Sequence, residues 1–371
     1  MNAADNRFMA LALALAARGQ GRVWPNPAVG CVIVNGGRGV GRGSTQPGGR
    51  PHAETVALAQ AGDAARGGTA YVTLEPCAHL GKTPPCADAL IAAGLSRIVA
   101  AMQDPDPRVD GAGFRKLRAA GIAVDTGVME AEARALLVGF VTRVTRGRPA
   151  VTLKLAASVD GPIATAAGES RWITGPEARR AVHAMRARHD AVLVGGGTAR
   201  ADDPSLTVRG LGNVHQPVRV VWSRHLDLPL TGKLAQGASD PPVWICHGAD
   251  ADQGLRRAWI GLGARLIAVD TGRTRQIDPA AALAALGAAG LTRVFCEGGG
   301  ALAASLLSAG LVDELVIFTA GVALGAEGHP ALGAMGIDRL ADAPRFVLQD
   351  CRAVGGDTLQ IWRRDHRQIQ V

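Results

Sequence analysis

Apolar residues in this chain fall into short runs, separated by stretches of helical spacing that often close on glycine. In the first 150 residues, runs at 29–34, 69–74, 97–101 and 122–126 predict buried strands. Stretches at 52–61, 87–93, 114–120 and 130–142 predict helices, with Gly94 and Gly121 as stops after two of them. The run at 8–17 ends in Arg18 and Gly19 and predicts a first helix of the fold. It does not read as a signal peptide, because Asp5 accompanies Arg7 and leaves no leading positive excess. Beyond a basic stretch at 143–149 the rhythm resumes, with strands predicted at 150–156, 191–194, 218–222, 243–246, 265–269, 293–296 and 314–319. The segment TGPE at 174–177 has the form of a capping box opening the helix that carries His183 and Arg186. Apolar strands alternating with helices imply an α/β protein whose sheets are covered on both faces. No repeat of fixed period is present.

Length sharpens this into two parts. A chain of 371 residues exceeds the limit of about 250–300 for a single core, and the stretch at 143–149 is the natural boundary. A hydrophobic fraction of 47% with 19% charge excludes wholesale disorder. No stretch reaches the roughly 18–20 uncharged apolar residues of a membrane-spanning helix, so the expectation is a soluble protein. The six cysteines (Cys31, Cys77, Cys86, Cys246, Cys296 and Cys351) are dispersed, unlike a secreted disulfide scaffold, which points to the cytoplasm. The net charge is +8, and only Lys82, Lys116, Lys154 and Lys233 among the 40 cations are lysines. Guanidinium groups match phosphate with paired hydrogen bonds, so small phosphorylated ligands are favoured. Nucleic acid is disfavoured, since the densest basic runs, 143–148 and 363–367, fall short of a block.

Two groups of residues carry candidate chemistry. The first is PHAE at 51–54 followed by EPCAHLGKTPPC at 75–86. His52, Cys77 and Cys86 supply three zinc ligands and leave a fourth position for water, whose pKa zinc lowers to about 7. Glu54 is placed to shuttle a proton from that water to a leaving amine, pointing away from the ligands themselves. H-x-E followed by P-C and a further Cys is the pattern of zinc nucleobase deaminases, although nine positions separate Cys77 from Cys86. His79 is the other candidate ligand; Cys86 is favoured because it opens a predicted helix, where the dipole stabilises a thiolate. The second group is a pair of glycine clusters after strands, GGGT at 195–198 and EGGG at 297–300. A standard G-x-G-x-x-G fingerprint is absent. A strand, a glycine turn and a helix start place N–H groups toward an anion, which suits a pyrophosphate over residues 299–305. The alternative is a tight turn that needs positive φ.

PNPAVGCVIV at 25–34, the HAE and EPC…TPPC segments, DPDPRV at 104–109 and GAG at 111–113 resemble the deaminase half of the bifunctional riboflavin-biosynthesis deaminase/reductase family. In that family the long loop between the cysteines is normal. The resemblance implies one Zn2+ per chain on His52, Cys77 and Cys86, with Glu54 catalytic. Thr45, Val56 and Val138 depart from residues common in the family, and none of them is a ligand. KLAASVDG at 154–161, SRWIT at 170–174, GGGT with DDPSL at 202–206, and EGGG resemble the family's reductase half, which is like dihydrofolate reductase.

The implied fold is an N-terminal zinc cytidine-deaminase-like α/β domain (residues 1–147) followed by a dihydrofolate-reductase-like α/β domain (148–371). Carried over, NADPH contacts would be Ala156, Trp172, Thr198, Asp202, Ser223, Gly299, Gly300, Ala301, Leu302, Ala303, Ala304 and Ser305. Ser170, Arg186, Leu206, Arg209 and Glu297 would contact the ribosyl-phosphate substrate, with Arg186 and Arg209 as phosphate clamps. Ser223 and Arg224 are candidates for the 2′-phosphate, and Lys154 and Asp160 for the lining of the hydride-transfer site. The implied function is zinc-dependent deamination of 2,5-diamino-6-(5-phosphoribosylamino)pyrimidin-4-one. NADPH-dependent reduction of the ribosyl group to ribityl would follow. The implied partners are small phosphorylated pyrimidines, without nucleic acid or membrane, and assembly into a homo-oligomer is compatible with this. A nucleic-acid base deaminase would share the zinc chemistry but leaves about 220 C-terminal residues without a role. A disabled scaffold would not need all four of His52, Glu54, Cys77 and Cys86.

Overall fold

The computed structural model describes residues 3–80, 84–272 and 275–365. Lys82 and Thr83 of the loop between the cysteines, and the last residues of the basic run at 363–367, lie outside these. The chain divides into two compact units, Met1–Arg148 and Pro149–Val371. No helix among the described residues is long and apolar enough to cross a membrane.

In chain order the first unit contains α1 (Ala3–Ala17), β1 (Gly30–Asn35), β2 (Arg38–Ser44), α2 (Ala53–Ala61), β3 (Thr69–Val72), α3 (Cys86–Ala92) and β4 (Arg97–Ala100). It continues with α4 (Ala112–Ala119), β5 (Ala123–Thr126), α5 (Glu130–Leu136) and α6 (Val138–Arg146). The strands form one sheet in the order β2-β1-β3-β4-β5. Strand β1 is antiparallel to both neighbours, whereas β3, β4 and β5 run parallel. On α1 the buried residues Asp5, Phe8, Met9, Ala12, Leu13 and Ala16 recur every three or four positions and make one core-facing stripe.

Glycine lets the helices come close. A Cβ on Gly30 would lie 1.9 Å from the Ala12 carbonyl oxygen, and one on Gly43 would lie 2.0 Å from that of Ala53. Helices α1 and α2 therefore rest directly on strand backbone. Gly30 and Cys31 point to opposite sides of β1, and Gly43 pairs with Cys31, so the two helices cover opposite faces. The stretch expected as one helix over 130–142 is two helices with a break at Leu137. The boundary stretch at 143–149 is partly helical too, because α6 runs to Arg146 before Gly147, at φ 69°, ends it.

The second unit contains β6 (Ala150–Ser158), β7 (Pro162–Ala164), α7 (Pro176–Arg186), β8 (Ala191–Gly195), α8 (Gly196–Asp202), β9 (Val218–Trp222) and β10 (Val243–His247). Then follow α9 (Gln253–Gly261), β11 (Arg265–Ala268), α10 (Pro279–Ala288), β12 (Arg293–Cys296), α11 (Gly300–Ser308) and β13 (Glu314–Ala320). The last elements are β14 (His329–Pro330), β15 (Phe346–Val354) and β16 (Asp357–Arg364). The main sheet has the order β11-β10-β9-β8-β12-β6-β13-β16-β15, and β14 pairs with β7 separately. From β11 to β13 every pairing is parallel, and β16 and β15 add an antiparallel edge. The late strand β12 inserts between β6 and β8, so chain order breaks at that point. In sheets of this kind, ligands bind outside the carboxyl ends of the strands beside such a break.

The expected capping box at 174–177 does not form. Gly175 is the N-cap of α7, and no side chain caps the helix. Its N–H instead donates to the Asp357 carboxylate at 2.7 Å. A long-range partner has replaced the local one.

His189 reports on the packing of this unit. Its Nδ1 lies 2.8 Å from the Met185 carbonyl oxygen, its Nε2 lies 3.0 Å from Thr152 Oγ1, and its ring is 5.0 Å from that of Phe295. Burial, and then the charge of Arg293, pull its pKa down to about 3. The folded chain thus holds His189 neutral, while the unfolded chain protonates it below its ordinary value of about 6.5. Its contribution to stability is full above that value and is lost as pH falls toward 3, with roughly 2 kcal/mol gone by pH 5. Melting curves of the full chain and of His189→Gln between pH 7 and pH 5 check this. The gap in Tm narrows on acidification, and a gap that stays constant contradicts it.

Candidate active sites

In the first unit, the approach of α2 to β2 sets the site. His52 is the N-cap of α2, and Glu54 lies in its first turn on the buried face shared with Ala57 and Ala61. The loop after β3 supplies Cys77, and Cys86 opens α3. His52 Nδ1 is 3.3 Å from Cys86 Sγ and 3.7 Å from Cys77 Sγ. Among the described residues, His52, Cys77 and Cys86 form a metal-ligating group, with donor atoms all within 4.8 Å of one another. One imidazole nitrogen and two sulfurs are a donor set that zinc takes, and three protein ligands leave the fourth position open. His79 is exposed and stands outside this group.

The electrostatics follow from burial. The Cys86 thiol and its backbone N–H both donate to Cys77 Sγ and pull that thiol's pKa down to about 4. Burial, and then the charge of Cys77, push the Glu54 carboxyl up to about 7. Glu54 also shares a hydrogen bond with the Cys86 side chain. It therefore faces the ligands and does not point away from them, as the spacing had suggested.

Glu75 is a residue that sequence reasoning left without a role. It is buried two positions before Cys77. Its carboxylate accepts N–H bonds from Gly113 (2.8 Å), Gly111 (3.0 Å), Asp104 (3.2 Å) and Phe114 (3.4 Å). It thereby ties the DPDPRV loop and the start of α4 to the segment carrying Cys77. The sequence signal was GAG at 111–113, since a Cβ on Gly113 would lie 2.0 Å from the Pro76 carbonyl oxygen. Of the three departures, Thr45 is buried and self-contained. Its hydroxyl accepts from Val29 N and donates to the Pro27 carbonyl, each at 3.0 Å. Val56 and Val138 are half-buried.

In the second unit, the carboxyl ends of β6, β8, β9 and β12 gather most of the expected residues. The two glycine clusters meet there, where the Gly299 N–H donates to Thr198 Oγ1 at 3.1 Å. Gly195 has φ −82° and Gly299 φ −66°, and no glycine of either cluster adopts positive φ. These glycines supply room and not an unusual turn. A Cβ on Gly299 would come within 3.3 Å of Thr198 Oγ1, and one on Gly196 within 3.3 Å of Ser223 Oγ. That cradle, bare of side chains, suits a dinucleotide backbone. Gly300, Ala301 and Leu302 open α11 with N–H groups that have no acceptor within the helix. Ala303 and Ala304 are buried in the core, and the Ala303 N–H is already bonded to the Gly299 carbonyl, while Ser305 is exposed.

Beside the cradle lies a buried charge cluster. Arg186 Nε and Nη2 pair with the Glu297 carboxylate at 2.5 and 3.1 Å, and Nη1 donates to the Thr207 carbonyl at 2.8 Å. Burial would raise the Glu297 pKa, but the charge and hydrogen bonds of Arg186 outweigh it and hold the carboxyl below its ordinary value. Burial lowers the pKa of Lys154 on β6, against the pull of Glu297. The guanidinium fork of Arg186 is thus taken by Glu297, whereas Arg209 is exposed and lightly held by Ser205 Oγ at 3.1 Å. Of the two expected phosphate clamps, Arg209 has the guanidinium to offer. Leu206 is buried at φ 54° and could meet a ligand only through its backbone.

The 170–174 segment is linked to the end of α8. Ser170 and Trp172 are exposed, Arg179 lies 4.6 Å over the Trp172 ring, and Arg171 bonds the Asp202 carbonyl at 3.0 Å. Ala156 lies half-buried on β6. Asp160 accepts the N–H groups of Leu324 and Gly325 and so fixes a loop. Arg224 does not present itself to a 2′-phosphate, because it is bonded to Asp250 at 2.5 Å and to the Arg275 carbonyl at 2.6 Å.

Known proteins show the same two-part organisation. Residues 2–102 match the model of the cytidine and deoxycytidylate deaminase zinc-binding region, and residues 149–360 match that of the RibD C-terminal domain. The chain is 43% identical to riboflavin biosynthesis protein RibD of Escherichia coli over 365 residues, covering 95% of this chain and 97% of that one. It is 39% identical to the RibD protein of Aquifex aeolicus, covering 97% and 98%. The solved structure of Acinetobacter baumannii RibD superposes with a TM-score of 0.87 at 38% identity, covering 98% and 99%. A Thermotoga maritima protein described as a diaminohydroxyphosphoribosylaminopyrimidine deaminase/5-amino-6-(5-phosphoribosylamino)uracil reductase gives 0.85 at 33%, with the same coverage. With a zinc-deaminase region and a RibD reductase domain on one polypeptide, the chain belongs to the RibD family of bifunctional riboflavin-biosynthesis deaminase/reductases.

Proposed function

We propose that the first unit hydrolyses the exocyclic amine of 2,5-diamino-6-(5-phosphoribosylamino)pyrimidin-4-one. The second unit then reduces the ribosyl group of the product with NADPH, giving 5-amino-6-(5-phosphoribitylamino)uracil. The observation that carries this reading is the donor set of His52, Cys77 and Cys86 with buried Glu54 against Cys86.

In the deaminase, His52, Cys77 and Cys86 would hold zinc, which when bound supplies a water acidic enough to attack at neutral pH. Glu54 takes the proton of the attacking water and delivers it to the amine, which leaves as ammonia. Its raised pKa suits a group that must both accept and give a proton near neutrality. Glu75 holds the loop that borders this chemistry and touches no reacting atom.

In the reductase, Thr198, Ser223 and the start of α11 bind NADPH, which supplies the hydride. Glu297, kept ionised by Arg186, accepts hydrogen bonds from the pyrimidine. Arg209 takes the 5′-phosphate, and Lys154 lies beside Glu297 on the strand bordering the site. The enzyme works in the cytosol, in keeping with its unpaired cysteines.

Glu54→Gln loses at least a hundredfold in ammonia release while keeping its zinc and its reductase rate on deaminated substrate. Unchanged ammonia release would remove Glu54 from the chemistry. Metal analysis of Cys86→Ser finds most of the one zinc per chain gone, and full retention contradicts the ligand set. Arg209→Ala raises the reductase KM about tenfold with kcat nearly unchanged, as expected for a contact made equally in ground and transition states. With a substrate lacking the phosphate, variant and parent behave alike; a persisting difference would assign Arg209 elsewhere.

A further inference from the structure

At the carboxyl edge of the nine-stranded sheet, Ser223 is joined to two residues, Asp227 and Arg200, that have no role in the reading above. Ser223 follows β9, and only 3% of it is exposed. Its hydroxyl donates to one oxygen of the Asp227 carboxylate at 2.8 Å. The other oxygen pairs with Arg200 Nη1, from α8, at 2.9 Å. The turn between Ser223 and Asp227 is fixed from beneath. Leu226 adopts φ 60° and is fully buried, and Leu228 is buried with it, so Asp227 between them faces outward. Gly196 floors the cluster, since a Cβ there would lie 3.2 Å from Arg200 Nη1 and 3.3 Å from Ser223 Oγ. Two residues farther on, Thr198 receives the Gly299 N–H. The cluster therefore borders the dinucleotide cradle.

The two nicotinamide dinucleotides differ only at the adenosine ribose, which carries a 2′-hydroxyl or a 2′-phosphate. An acidic residue near this position accepts a hydrogen bond from the hydroxyl, while an arginine accommodates the phosphate. Here both kinds of residue stand together, with Asp227 linking Arg200 to Ser223. The Asp227 carboxylate takes the Arg200 N–H and the Ser223 O–H that phosphate oxygens would need, and its negative charge repels the phosphate. Arg200 and Asp227 are each about half exposed, at 46% and 52%, so a ligand can reach both.

We propose that Asp227 sets the cofactor preference of the reductase. It competes with the 2′-phosphate for Arg200 and Ser223, holding down the affinity for NADPH while giving the 2′-hydroxyl of NADH an acceptor. This rests on reading the second unit as a nicotinamide-dependent reductase.

Titration calorimetry on the full chain, using NADP+ and NAD+ as probes, tests it without turnover. In Asp227→Asn the Kd for NADP+ falls about tenfold, a change of about 1.4 kcal/mol, and the Kd for NAD+ stays level or rises. Arg200→Ala weakens NADP+ and leaves NAD+ unchanged. Adenosine 2′,5′-bisphosphate follows NADP+, and AMP follows NAD+. Asp227→Ala gives the same ordering, which separates loss of charge from any new bond made by asparagine. If the parent binds NADP+ and Asp227→Asn binds it equally or more weakly, the proposal is overturned alone. If the parent binds neither dinucleotide, the cofactor reading fails and the proposal falls with it.

Discussion

The deaminase centre depends on how closely one helix can lie on one strand. With any side chain at Gly41 or Gly43, a Cβ would stand 2.2 or 2.0 Å from a carbonyl oxygen of α2, and the helix would have to lift. His52 and Glu54 sit in the first turn of that helix, so lifting it moves a ligand and the proton carrier together. Cys77 and Cys86 come from the segment between β3 and α3, which Glu75 anchors through the α4 start. The same economy of side chains recurs in the second unit, where glycine at 196 and 299 leaves space beside Ser223 and Thr198. In both units the residues singled out as candidates gather where helices begin, at the first turns of α2 and α3 and at the starts of α8 and α11.

Charge burial separates the tasks of the two sites. An isolated buried ion is costly, so each site keeps its ions in sets. In the first unit, Cys77 is stabilised as a thiolate by Cys86, while burial keeps Glu54 close to neutrality. In the second, the Arg186 guanidinium pairs with Glu297 and holds that carboxyl below its ordinary pKa. The arginine surplus visible in the sequence thus divides into two uses. Some arginines order the site from within, as Arg186 and Arg224 do, and others such as Arg209 remain open to a ligand.

The sequence made visible whatever rests on local periodicity or on ligand chemistry. Strands such as β1, β9 and β12 are short apolar runs and legible as such, as is the glycine turn that opens α11. Strand β2 was not, because RGVGRGS alternates glycine with mostly polar residues and its glycines admit a helix. The hairpin β15–β16 was missed because the apolar residues of β15 are interrupted by Gln349, Asp350 and Arg352 and follow no two-residue alternation, on a strand that is exposed on both faces. The capping box failed because the Gly175 N–H is satisfied by Asp357, 182 residues away, which no local window contains. The grouping of His52, Cys77 and Cys86 could be read from residue type and order. Asp227 could not, since one aspartate between two leucines carries no signal until the turn returns it to Ser223 and Arg200.

On the proposed reading the two units act in order, deamination first and reduction second. The direct test mixes the purified full chain with 2,5-diamino-6-(5-phosphoribosylamino)pyrimidin-4-one, with and without NADPH, and follows ammonia and NADPH absorbance together. Ammonia is released in both mixtures, and NADPH is consumed only after ammonia begins to appear. Oxidation of NADPH on the undeaminated compound, or ammonia release that requires NADPH, would show that the reduction does not follow the deamination.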